Sequence, residues 1–223
     1  MSHFSRLEVL QAILETGLVP IFYHPDEQVA REIVRACAAG GARVVEFTNR
    51  GDFAPEVFCS LAHWVRQELP AVALGAGSVM DAPTAALYLA NGADLVVSPT
   101  FERDIARLCN RRQVAYIPGC GTVGEITHAT EWGAEVVKLF PARVLGPAFI
   151  RAVRGPCPWL RLMPTGGIQP TQADIRAWLE AGAVALGIGS ELLRRDWVEA
   201  RDWAAITGAV RQVLGWIKDR PGP

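Results

Sequence analysis

The chain has 223 residues, half of them apolar and 20% charged, and 22 basic against 23 acidic groups leave a net charge of −1. That balance can fill a sizeable core and excludes a disordered chain, and it offers no basic excess for nucleic acid or an anionic membrane. No apolar run reaches the roughly 18–20 residues that span a bilayer. The five cysteines (Cys37, Cys59, Cys109, Cys120, Cys157) are dispersed with no CxxC pair, so a reduced protein of the cytoplasm is expected.

The polar-punctuated start, MSHFSRLEVLQAILETG, lacks the apolar stretch of a secretory signal, and its spacing predicts a helix over Ser5–Thr16. A strand over Val19–Tyr23 comes next, then a helix over Asp26–Ala39 and a strand over Val44–Thr48. A helix over Ala54–Glu68, a strand over Ala71–Gly75, a helix over Ala82–Ala90 and a strand over Leu95–Ser98 follow. The second half gives strands over Val114–Ile117, Glu135–Phe140, Leu160–Met163 and Ala183–Ile188, with helices over Thr122–Trp132 and Thr171–Ala181. Thr122-Val-Gly-Glu125 has the form of a capping box. The last helical stretch, Glu191–Lys218, reads as continuous or broken, outside the main body. Gly41, Gly92, Gly133 and Gly182 each end a helical pattern just before a short apolar run, as left-handed helix caps do.

Near-continuous apolar strands alternating with helices imply a parallel sheet covered by helices. Eight such units favour an α/β fold of one domain, residues 1–223, built as a (β/α)8 TIM barrel with an extra N-terminal helix. A doubly wound open sheet is the alternative.

Chemistry in such a barrel gathers at the carboxyl ends of the strands. Alternation along the second strand puts Glu46 and Thr48 on one face, with Arg50 continuing it, while Val45 and Phe47 turn towards the helices. Glu46 and Arg50 are either a structural ion pair or an acid/base group beside an anion-binding cation. Twenty of the 22 basic residues are Arg, and one of the two Lys, Lys138, sits in the apolar run Val136–Pro141. A lysine buried there would lose its proton more easily, and a neutral amine attacks carbonyl carbon. The bland alternatives are a pairing with Glu46 or a side chain reaching solvent. The turns Thr165-Gly166-Gly167 and Gly189-Ser190 follow the seventh and eighth strands, a frequent phosphate site. They could equally be ordinary turn glycines. Ser78 adds a hydroxyl after the third strand. The four histidines show no metal-ligand spacing, and Gly75-Ala-Gly77 lacks the third glycine of a dinucleotide fingerprint.

The strings VVEFTNR, GAGSV, VVKLFPA, MPTGGI and GIGS, in that order and at strand ends, resemble the class I 2-keto-3-deoxy-6-phosphogluconate (KDPG) and 4-hydroxy-2-oxoglutarate (KHG) aldolases. The resemblance covers about 19–190. It implies a (β/α)8 barrel, a homotrimer, and cleavage of a keto acid to pyruvate and an aldehyde without metal or cofactor. It makes Lys138 the Schiff-base lysine and Glu46 the acid/base, working through a water. Arg50 and Ser78 would hold the pyruvate carboxylate, and Thr165 the substrate hydroxyls. Gly166, Gly167, Gly189 and Ser190 would bind phosphate. Asn49, Gly51 and Thr100 depart from the family pattern (usually Leu, Thr and Gly) and are expected to flank the aldehyde-binding end. The galactonate epimer of the substrate, a sugar-phosphate isomerase or epimerase using Glu46 without an adduct, and a non-catalytic phosphate sensor are the competing readings.

Overall fold

The computed structural model describes residues 2–219, so both ends of the expected 1–223 domain run past the described residues. In chain order the elements are α1 (Arg6–Thr16), β1 (Leu18–Phe22), α2 (Glu27–Gly40), β2 (Val44–Thr48), α3 (Ala54–Glu68), β3 (Ala73–Gly77), α4 (Ala82–Ala90), β4 (Leu95–Val97), α5 (Arg103–Arg112) and β5 (Ala115–Ile117). They continue as β6 (Gly119–Cys120), α6 (Val123–Glu131), β7 (Val137–Leu139), α7 (Ala142–Arg154), β8 (Leu162–Pro164), α8 (Gln172–Glu180), β9 (Leu186–Ile188), α9 (Arg195–Glu199) and α10 (Trp203–Lys218).

Every strand pairing is parallel. One ladder runs β5-β4-β3-β2-β1-β9 and a second runs β6-β7-β8. The expected strand over Val114–Ile117 is β5, and Pro118, which has no N–H to give a ladder, separates it from β6. A bridge between Thr165 and Gly187 links β8 to β9. The fold is thus α/β with a curled parallel sheet, and the helices cover its convex face.

Two apolar layers hold it. On the convex side Val45, Phe47, Leu74, Val96, Val137, Leu139 and Leu162 pack against the helices. On the concave side Val19, Val44, Ala73, Leu95, Ala115, Val136 and Met163 pack against Val9, Leu10, Ala12 and Ile13 of α1. Helix α1 begins with the reciprocal Ser5–Glu8 capping box and ends at Gly17. Val9 and Ile13 are fully buried, each worth about 1.5–3 kcal/mol of burial. Asp94 pins the segment before α1 by accepting from the amides of His3 and Phe4, at 2.6 and 3.2 Å.

The Thr122–Glu125 capping box forms, and Gly41, Gly92, Gly133 and Gly182 all take positive φ. The third strand starts two residues later than expected, because Val72 still closes the turn out of α3 by donating to the Leu69 carbonyl. The expected C-terminal helix is two helices: α9 has five residues, Arg201 turns left-handed (φ 55°), and Asp202 caps α10.

Candidate active site

Along each concave-face row the side chains change from apolar to polar towards the carboxyl ends. Val44 gives way to Glu46 and Thr48 on β2, Val136 just before β7 to Lys138 on it, and Met163 on β8 to Thr165 after it. Beyond the apolar layer over α1, towards the carboxyl ends of the strands, lies a cavity of about 840 Å³. Glu46, Thr48, Arg50, Lys138, Thr165 and the two glycine turns all line it. The alternation read from the sequence holds, since Val45 and Phe47 face the helices.

Glu46 and Lys138 lie at its base, 1% and 6% exposed, with Oε1 and Nζ 3.9 Å apart. Glu46 fits because Gly77 lies beside it: a Cβ there would stand 1.9 Å from Oε1. Neither carboxyl oxygen has a hydrogen-bond partner among the described residues. Burial pushes the Glu46 pKa up, and the charges of Lys138 and Arg50 only partly oppose this. Lys138 Nζ also lies 5.5 Å from the centre of the Phe140 ring. Arg50 is exposed at the mouth.

The two glycine turns come together, Gly166 and Gly167 with φ of 98° and 78° after β8, and Gly189-Ser190 after β9. The amides of Gly167 and Ser190 donate to no backbone carbonyl among the described residues. Such turned-in N–H groups suit an anion. Ser190 Oγ already contacts Glu191 Oε2 at 3.2 Å. Gly187 makes room for Thr165, whose Oγ1 would be 2.3 Å from a Cβ there.

Ser78 is the predicted site residue that does not line the cavity. It follows Gly77, half-buried and left-handed (φ 58°). Of the three departures, Asn49 accepts from the Tyr88 hydroxyl at 2.9 Å and Thr100 offers its carbonyl to the hydroxyls of Ser98 and Tyr116. Neither lines the cavity, though Thr48 and Arg50 on either side of Asn49 do; Gly51 meets the lining at Tyr23. Cys120 is buried, and that burial pushes its thiol up to about 12.

Sequence reasoning missed Tyr23, His24, Phe140, Glu191, Arg195, Val198 and Glu199. The first two stand just past β1 and were open to the same strand-end rule. The last three were missed because α9 was read as part of an outlying helix. Among the described residues no three His, Cys, Asp or Glu side chains gather to hold a metal, and no helix is long and apolar enough to cross a membrane.

The model of the KDPG and KHG aldolase family matches residues 9–209. The chain belongs to the KDPG and KHG aldolase family. It is therefore an aldolase, a lyase. The chain is 34% identical over 198 residues to a 2-dehydro-3-deoxy-phosphogluconate aldolase of Pseudoalteromonas atlantica, covering 88% of this chain and 89% of that protein. It is 32% identical over 210 residues to the KHG/KDPG aldolase of Escherichia coli K12, covering 93% and 96%. Among solved structures, the 2-keto-3-deoxy-6-phosphogluconate aldolase of Zymomonas mobilis superposes with a TM-score of 0.80 at 25% identity, covering 93% of this chain and 97% of that one.

Proposed function

We propose that this chain is a class I aldolase that cleaves 2-keto-3-deoxy-6-phosphogluconate to pyruvate and glyceraldehyde 3-phosphate. The carrying observation is the buried Lys138–Glu46 pair, 3.9 Å apart at the cavity base. 4-Hydroxy-2-oxoglutarate, split to pyruvate and glyoxylate, is a second substrate, as the names of the relatives suggest. The Lys138 amine adds to the C2 carbonyl, and loss of water gives an iminium. Glu46, through a water, takes the C4 hydroxyl proton; the C3–C4 bond breaks, releasing the aldehyde, and its electrons pass into the enamine. Glu46 returns the proton to C3, and hydrolysis frees pyruvate and the amine. A carboxyl group whose pKa is raised by burial suits both proton steps, and such assistance contributes about 10²–10⁴-fold.

Arg50 holds the pyruvate carboxylate without Ser78, which lies outside the cavity lining, Thr165 meets the substrate hydroxyls, and Gly166, Gly167, Gly189 and Ser190 take the phosphate. The two ladders are arcs of one closed (β/α)8 barrel, supported by the β8–β9 bridge and by β6 following β5 directly. Helix α1 is the extra N-terminal helix under it, and residues 1–223 form one domain. The protein acts in the cytoplasm as a homotrimer, on the family resemblance. The test is intact mass after incubation with pyruvate and sodium borohydride. One pyruvate-derived adduct, mapped to Lys138 and not Lys218, is expected; a folded protein that takes no adduct overturns the reading.

A further inference from the structure

Tyr23, the residue after β1, lines the cavity together with Lys138, Glu46 and Arg50. Its ring packs edge-on against the fully buried Phe47, with centroids 5.6 Å apart at 62°. The phenol is therefore held by the convex-face core. A Cβ at position 51 would stand 2.0 Å from the Tyr23 oxygen and 2.7 Å from Cζ. Gly51 thus leaves open the space that the phenol fills. Among the described residues the Tyr23 hydroxyl makes no hydrogen bond. A cavity-lining residue whose ring is fixed in this way, with an O–H that has no partner among the described residues, is equipped to bond a ligand oxygen at low entropic cost.

Strand β1 lies between β2 and β9, with Ile21 level with Glu46 and Pro20 level with Ile188. Tyr23 therefore stands past the level of the Glu46 backbone and beside the Gly189-Ser190 turn. A substrate joined to Lys138 on β7 and reaching that turn crosses Thr165 after β8 and ends against β1. We infer that the Tyr23 hydroxyl hydrogen-bonds an oxygen of the aldehyde half of the keto-acid substrate, and that Gly51 keeps it in place by having no side chain. This rests on the aldolase reading and adds a specificity-determining contact to it.

Two readouts on the same protein test it. Exchange of the pyruvate C3 protons for deuterium, followed by NMR, needs the Schiff base and proton transfer but no aldehyde. Release of pyruvate from 2-keto-3-deoxy-6-phosphogluconate needs both halves. Tyr23→Phe keeps the ring and removes the oxygen. Its kcat/KM for cleavage should fall about three- to tenfold, the range of one neutral hydrogen bond, relative to its exchange rate. Gly51→Ala should lower the same ratio, and the loss in Tyr23→Phe/Gly51→Ala should be smaller than the two single losses combined, since an oxygen already removed cannot be displaced again, although the Cβ still meets Cζ. An unchanged ratio in Tyr23→Phe overturns the inference, whether both rates hold or both fall together; additive losses in the double variant remove the role given to Gly51. Wild-type protein with no C3 exchange and no borohydride adduct overturns the aldolase reading itself. Exchange intact with Tyr23→Phe silent overturns only this inference.

Discussion

Replacing Gly77 with Ala tests the geometry of the site without touching a group that carries the chemistry. The added Cβ would meet Glu46 at 1.9 Å from Oε1, 2.5 Å from Cδ and 2.7 Å from Cγ. Carbon contacts are comfortable at about 3.5–4.0 Å, so the carboxyl group must retreat by roughly 1.5 Å. The backbone cannot give way cheaply: Gly77 is paired with Thr48 across the β2–β3 ladder, and its carbonyl accepts from Asn49 N–H at 2.8 Å. Misplacing a catalytic group by about 1 Å can cost ~10²-fold. We therefore expect Gly77→Ala to lower kcat for pyruvate release about 10²-fold. Overpacking should also cost about 1–3 kcal/mol, each kcal/mol lowering Tm by about 2–4 °C in a chain of this size. The assay couples pyruvate formation to NADH oxidation by lactate dehydrogenase, with thermal melts alongside. Adding Glu46→Asp draws the carboxyl back by one methylene, so the double variant should regain most of the lost Tm while remaining slow. A Gly77→Ala protein with wild-type kcat and Tm would refute the close packing of Glu46 and the role built on it.

Lys138→Ala should abolish cleavage and borohydride trapping while the melt stays cooperative. Lys138→Arg should fail equally, because a guanidinium stays protonated; substantial turnover in either removes the Schiff-base role. The raised Glu46 pKa gives a signed pH effect on stability. Protonation of Glu46 favours the fold fully below the usual carboxylate value of about 4.3, and that contribution is lost as pH rises through the raised folded value. The Tm of Glu46→Gln minus that of wild type should therefore grow more positive from pH 4 upward; a flat or falling difference contradicts the assigned direction. Ser190→Asp places a second carboxylate beside Glu191 at the glycine turns. Charge repulsion of about 1–4 kcal/mol at 4 Å should raise KM for the phosphorylated keto acid about tenfold or more over unphosphorylated 2-keto-3-deoxygluconate. Equal effects on both would move the phosphate elsewhere.

The residues legible in the sequence are those whose placement follows from strand periodicity. Glu46, Thr48 and Arg50 share a face because β-strands alternate, and Lys138 stands out because it is one of two lysines and sits in an apolar run, where burying a charge is costly. Helices that end in glycine or begin with a capping box were equally readable, since those signals act over three or four residues. The parts that escaped depend on contacts far apart in sequence. Nothing local says that Gly77 must lack a side chain because Glu46, 31 positions earlier, needs its space. Nothing local says that Gly51 is matched to Tyr23, or that Asn49 turns away to meet Tyr88 on α4. The glycines of β3 read as weak strand residues by propensity, yet two of them are shaped by neighbours, Gly75 by Leu95 and Gly77 by Glu46. The C-terminal stretch shows the same division. Its apolar spacing was visible, but Arg201 in a left-handed turn interrupts it and leaves α9 over the mouth of the cavity, bringing Arg195, Val198 and Glu199 to the lining. A sequence thus announces which side chains a strand end presents, while the space around them is set by residues whose chief contribution is a missing side chain or a broken helix.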